Sequence, residues 1–182
     1  MDRVLFIFDS SLQLNTYVFG LINFIAILVV LYAFYVEHRL KTAKPEDNYK
    51  AFCDINHRMS CSRVLGSKYA KGFGIFDENS VFNISNAVYG ISLYISILIL
   101  LVVSSLFEGT NVSITYVLVV LAVISNLGDI YLAYILFFKL KDICIVCCTL
   151  YVINALLLAL SIWRVIVLPS ENKANLVINF QN

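Results

Sequence analysis

The chain alternates between long apolar runs and polar breaks. A bilayer-spanning helix needs about 20 consecutive, mostly apolar residues. Runs of that length cover about 17–36, 86–107, 113–138 and 143–168. The breaks carry helix-stopping chemistry: Glu108-Gly109-Thr110-Asn111, Lys139-Leu140-Lys141-Asp142, and Pro169 ahead of a short polar tail. The pattern predicts an all-α integral membrane protein. It is a four-transmembrane-helix bundle, a single membrane domain over 1–182, with a cap loop over 37–85 between the first and second spans. The first run is not read as a removed signal peptide. It is too long, has no small-residue cleavage site near its end, and no basic region leads it.

Within the cap, Pro45-Glu46-Asp47-Asn48 reads as a helix start or turn, and 62–71 as a short amphipathic helix on the membrane surface. Gly72-Phe73-Gly74 breaks that helix. Ile75, Phe76, Val81 and Phe82 are too apolar for a free loop, so the cap is expected to dip into the interface while covering the mouth of the bundle.

Counting spans fixes the topology. Both termini fall on one side, and the cap and the 139–142 turn fall together on the other. Composition agrees: 60% hydrophobic residues, only 14% charged, mean hydropathy +0.85. These values exclude an ordinary soluble domain. A net charge of +1 gives no bulk attraction to nucleic acid. The cap holds eight of the thirteen Lys and Arg residues. By the positive-inside rule alone it would face the cytosol. Its length and mixed charge weaken that rule, and paired cysteines favour an oxidising lumen. The cap is therefore read as lumenal.

The five cysteines form two groups, Cys53 with Cys61 and Cys144 with Cys147 and Cys148. They are too few for a disulfide scaffold, and their spacing matches no usual zinc pattern, so no metal site is expected. Cys144 and Cys147, three apart, are neighbours on a helix surface and near enough to cycle between dithiol and disulfide. Asp142 is the expected N-cap of the fourth helix. That puts Cys144 in the first turn, where free N–H groups and the dipole favour a thiolate, helped by Lys139 and Lys141. Cys147 lies one turn deeper, toward a lipid-soluble substrate. Cys148 points elsewhere and reads as a packing residue. Cys53 and Cys61 read as a relay passing electrons from a soluble dithiol to Cys144 by thiol–disulfide exchange. The competing role is a static bridge pinning the cap.

Other polar residues flank this pair. Asn86, at a membrane mouth, can donate to a carbonyl oxygen or simply cap a helix. Tyr151 follows Cys147 by four and shares its face. Asp129, with Asn126 nearby, lies inside the third span, where an acid is costly and is a functional candidate by default. Its two readings are a proton donor facing a cavity and a hydrogen bond to a neighbouring helix. His57 reads as a solvated loop histidine. Asn83-Ile84-Ser85 and Asn111-Val112-Ser113 are sequons, the first close to the membrane, the second on the opposite side and expected to be silent.

The two cysteine pairs stand in register with their flanking residues. Cys53-Asp54, Ser60-Cys61-Ser62-Arg63-Val64, Gly72-Phe73-Gly74, Asn83-x-Ser85-Asn86, the segment 131–138 and Cys144-Ile145-Val146-Cys147 closely resemble the vitamin K epoxide reductase family over about 49–166. The resemblance implies a four-helix endoplasmic-reticulum enzyme with a lumenal active site. It would reduce vitamin K epoxide to the quinone and the quinone to the hydroquinone, with no tightly bound cofactor beyond that substrate. It implies that Cys147 meets the substrate and that Cys144 resolves the adduct and forms the relay disulfide with Cys61. Cys53 would take electrons from a thioredoxin-like lumenal partner. Asn86 and Tyr151 would hydrogen-bond the substrate oxygens, Ser67 would pack the cap near the pocket, and coumarin-type inhibitors would share the cavity. The chain departs from the family at Tyr69-Ala70 (often Trp-Gly), at Tyr89 near the pocket (often Phe), at Asp129 (usually small), in a shorter 75–82 segment and in the extra Cys148.

The competing enzyme reading runs the same residues as a quinone-linked oxidase that drives disulfide formation in lumenal proteins. A non-catalytic four-span scaffold fits poorly. Tetraspanins carry Cys-Cys-Gly in a large loop between spans three and four, where this chain has a short turn. Claudins carry a Trp-bearing motif in the first loop, and the single tryptophan here is Trp163.

Overall fold

The computed structural model describes residues 2–43, 49–56, 58–77, 79–107 and 111–168. The expectations for Pro45–Asn48, His57, the 108–110 turn, Pro169 and the tail lie outside these residues. Among them the order is α1 (Asp2–Thr42), α2 (Cys61–Leu65), α3 (Asn86–Leu106), α4 (Asn111–Tyr134) and α5 (Ile145–Val167). Four helices are long and apolar enough to cross a membrane, over Ser11–Thr42, Asn86–Leu106, Val112–Leu140 and Ile145–Val167. An all-helical bundle satisfies every backbone group internally, as the bilayer interior demands.

α1 packs against α3 and α5, and α4 closes the bundle against the same two helices. The inner stripe of α1 is Phe19, Ala26, Val30 and Ala33, all buried. It meets Tyr94, Ile97 and Leu101 of α3 and Ile153 and Leu157 of α5. Leu21, Phe24 and Leu28 of α1 face outward, as a lipid-contacting surface requires. At Gly90 a side chain would come within 2.9 Å of Val30 Cγ2, so a glycine here lets α3 approach α1 closely.

α1 runs on past residue 36 to Thr42. Glu37 and Lys41, one turn apart, pair at 2.5 Å and extend the helix above its apolar part. The third span changes form at its end. After Tyr134 it widens into a π-helical turn, Ile135–Leu140, and stops at Lys141 in the left-handed region (φ 53°).

The cap is less helical than the sequence pattern predicts. The helix expected over 62–71 is limited to α2, capped at its start by Ser60, whose hydroxyl accepts from Arg63 N–H. Gly66 ends it, its N–H returning to the Ser62 and Val64 carbonyls. A Cβ there would sit 2.8 Å from the Ser62 oxygen. Short 3₁₀ turns follow at Lys68–Ala70 and Gly72–Gly74. The second holds three successive left-handed residues, Gly72 (φ 52°), Phe73 (φ 56°) and Gly74 (φ 68°). Glycine adopts this freely, and phenylalanine does so only when held.

The cap is fastened to the 141–144 connection. Met59 pairs with Ile143, whose N–H donates to the Arg58 carbonyl at 2.9 Å. Both cysteine groups therefore lie at one end of the bundle.

Candidate active site

Cys144 is not in the first turn of α5. It is the N-cap, with extended backbone, and its sulfur accepts from Cys147 N–H at 3.2 Å. A sulfur here occupies the place of the usual cap oxygen, where N–H groups and the helix dipole stabilise negative charge. The Cys147 thiol beside it, then the Cys147 and Val146 N–H groups, hold the Cys144 thiol below its ordinary pKa against the opposing effect of burial. Asp142, the N-cap expected from sequence, is otherwise engaged. Its Oδ1 takes the Arg63 guanidinium at 2.6 Å, tying α2 to the start of α5.

Above this site the loop cysteines are joined. Cys53 and Cys61 form a disulfide, S–S 2.04 Å and Cα–Cα 5.7 Å, and both are buried. Cys144, Cys147 and Cys148 are free thiols. The bridging loop is organised by Asp54. Its Oδ1 accepts from the Ser60 hydroxyl and Ser62 N–H, both at 3.0 Å, and its Oδ2 from Ala51 N–H at 3.1 Å. Burial raises the Asp54 pKa, but these bonds from Ser62, Ser60 and Ala51 outweigh it and hold the carboxyl below its ordinary value.

Below the cap lies a cavity of about 330 Å³, within the range of small-molecule sites. Its walls bring together most of the residues singled out from sequence: Ser67, Asn86, Tyr89, Asp129, Cys147 and Tyr151. Cys144, Cys53 and Cys61 lie outside the lining, and of the four cysteines Cys147 alone presents to the cavity.

The polar wall residues differ in what already holds them. Asn86 clamps the cap: its Oδ1 accepts from Phe73 N–H at 2.9 Å and its Nδ2 donates to the Tyr69 carbonyl at 2.8 Å. This clamp holds the left-handed turn. Tyr89 donates to the Phe82 carbonyl at 2.8 Å and packs its ring 5.3 Å from that of Phe73. Ser67 donates to the Val64 carbonyl at 2.7 Å. Tyr151 has no hydrogen-bond partner among the described residues. Cys148 sits away from the cavity in a shallow groove with Ile143, Ile145 and Thr149.

Sequence reading missed four residues. Glu37, assigned to the polar cap, is a buried wall residue of α1 that accepts from Lys41 and from the Ser85 hydroxyl. Tyr94 and Asn154 line the deep end beside Asp129. Arg164 is buried at the far end, donating to Thr115 at 3.0 Å, Thr16 at 2.7 Å and Ser104 at 3.1 Å, one hydroxyl from each of the other three long helices. An Asn and an Arg inside an apolar run were the available signals.

Comparison with known proteins matches this arrangement. The Vitamin K epoxide reductase family pattern covers residues 17–162. The chain is 41% identical over 140 residues to Vitamin K epoxide reductase complex subunit 1 of Mus musculus, covering 74% of this chain and 81% of the relative. It is 40% identical over 139 residues to the protein of the same name from Rattus norvegicus, with the same coverage. With the family pattern spanning most of the chain and both cysteine pairs at one end of a four-helix membrane bundle, the chain belongs to the vitamin K epoxide reductase family and is an oxidoreductase of that type.

Proposed function

We propose that this protein is a membrane thiol:quinone oxidoreductase that reduces vitamin K epoxide and vitamin K quinone, recharged through its loop cysteine pair. One observation carries the reading. Cys147 opens into an apolar cavity while Cys144 caps the same helix.

In the cycle, the Cys147 thiolate bonds to a ring carbon of the quinone or epoxide. Cys144 then attacks Cys147 Sγ. The carbon–sulfur bond breaks, its electron pair stays with the ring, and a Cys144–Cys147 disulfide forms. Each turnover takes two electrons and two protons from the dithiol. The epoxide yields quinone and water, and the quinone yields hydroquinone. Cys61 exchanges with Cys144, and Cys53 receives electrons from a thioredoxin-like lumenal dithiol protein. Tyr151, with its hydroxyl unclaimed among the described residues, donates to one substrate oxygen, and the second Nδ2 hydrogen of Asn86 donates to another. Ser67 and Tyr89 shape the wall next to the ring. Coumarin-type inhibitors occupy the same cavity. The setting is the endoplasmic-reticulum membrane with the cap lumenal, where an oxidising environment sustains the Cys53–Cys61 bridge.

A substrate panel tests this reading. Purified protein with a small dithiol is given vitamin K epoxide, vitamin K quinone or a ubiquinone, and products are measured. Turnover of the two vitamin K forms is expected. Turnover of ubiquinone alone would transfer the assignment to a quinone-linked oxidase of lumenal thiols.

A further inference from the structure

Quinone reduction in an apolar cavity needs protons delivered to ring oxygens, and among the described residues two carboxyl groups line this one, Glu37 and Asp129. Glu37 is spoken for at both oxygens, Oε1 by Lys41 at 2.5 Å and Oε2 by the Ser85 hydroxyl. Asp129 is held at one only. Its Oδ2 accepts from Asn154 Nδ2 at 2.7 Å, and Asn154 Oδ1 accepts in turn from the Tyr94 hydroxyl at 3.0 Å. The amide of Asn154 is fixed on its backbone side too, its carbonyl taking Asn126 Nδ2 at 3.0 Å. Asp129 Oδ1 has no partner among the described residues and is not sealed from the cavity.

The chain Tyr94–Asn154–Asp129 thus draws one residue from each of α3, α5 and α4 and ends on a single free carboxyl oxygen. Along α5, Asn154 lies seven residues, about 10 Å, below Cys147. Tyr151 stands between them, one turn above Asn154. A ring bonded to Cys147 therefore has the thiol at its upper side and the Asp129 carboxyl at its deep end. Burying a carboxyl at this depth in a membrane bundle is costly, and a bare hydrogen bond between helices would not need an ionisable group.

Resting on the redox reading above, we infer that Asp129 is the proton donor to the deep-end oxygen of the substrate, with Asn154 and Tyr94 as its positioning residues. When Cys147 Sγ bonds to the quinone ring, the displaced electron pair collects on oxygen, and Asp129 gives that oxygen a proton. When Cys144 displaces the adduct, the carbon–sulfur pair returns to the ring and the second oxygen takes up the other proton. The two protons released by the thiols balance the two taken up, one of them passing through Asp129.

The test uses the full chain in detergent with a small dithiol donor and vitamin K quinone. Besides Asp129, the titratable groups facing the cavity are Glu37 of α1, Tyr69 of the cap, Tyr89 and Tyr94 of α3, and Cys147 and Tyr151 of α5. The acidic limb of the kcat–pH profile belongs to the thiols and is expected in every variant. Asp129→Asn should lower kcat about tenfold or more with KM within about threefold, and flatten the alkaline limb. Asp129→Ser gives a second reading if the first variant folds poorly. Asn154→Ala should lower kcat less and keep the alkaline limb, because the carboxyl remains. Asp129 variants with wild-type kcat and an unchanged alkaline limb, or with a change in KM alone, overturn the inference. Cys147→Ala run alongside separates the two claims. If it is inactive while Asp129→Asn is normal, only the proton assignment fails. If Cys147→Ala turns over, the redox reading itself fails.

Discussion

The sulfur of Cys144 stands where a helix cap oxygen usually stands, and the Cys147 thiol and the N–H groups around it hold its pKa down. Sequence spacing singled out the pair but put Cys144 two residues too deep, because Asp142 is the better cap by propensity. Propensity lost to a tertiary demand: Asp142 is taken by Arg63, and the sulfur fills the vacated role. The expected pH behaviour has a definite sign. A lowered pKa means that thiolate persists to lower pH, so Cys144 should exchange with a small disulfide with a midpoint below the ordinary cysteine value of about 8.5. Replacing Cys147 with Ala removes the principal stabilising contact and should move that midpoint up, while a static midpoint would separate Cys144 reactivity from its partner. Asn86 shows the opposite limit of sequence reading. Its place at the cavity mouth was legible, but its commitment to two cap backbone groups was not, since both partners come from a loop whose path spacing cannot predict.

Among the elements, the four long helices were legible because twenty apolar residues in a row have few other fates. The cap was legible in content and not in shape. Its amphipathic pattern over 62–71 predicts a helix, but Gly66 and the left-handed turn at 72–74 cut it into short pieces. That turn places Phe73 over the cavity and is fixed by Asn86 from below. Gly74→Ala should therefore be severe for its size. It forces a Cβ into the left-handed region and to within 2.3 Å of Tyr69 Cδ1. A loss of about 1–3 kcal/mol is expected for the backbone alone. Thermal unfolding of the purified variant measures it, and a melting temperature equal to wild type would show that the turn is not held as described.

For the whole molecule, the bundle has a cysteine-bearing end, proposed as the reactive one, and a far end held by polar contacts. Cysteines, cap and cavity occupy the first, and Arg164 ties all four long helices at the second. Arg164 lies seventeen residues from Cys147, about 25 Å along α5. Hydrogen bonds between membrane helices average about 0.6 kcal/mol, so losing three costs roughly 2 kcal/mol. Arg164→Met should lower resistance to denaturant by that amount and leave the kcat of folded enzyme near wild type. A large fall in kcat without a loss of stability would contradict the division.

The reactive end carries the central claim, that Cys147 is the thiol that meets the substrate and the loop pair only recharges it. Turnover of vitamin K epoxide by Cys147→Ala and Cys53→Ala, each with a protein dithiol donor and with a small membrane-permeant dithiol, tests it most directly. Cys147→Ala should be inactive with both donors, and Cys53→Ala should lose far more activity with the protein donor than with the small one. Retained turnover in Cys147→Ala, or equal loss with both donors in Cys53→Ala, would contradict the account.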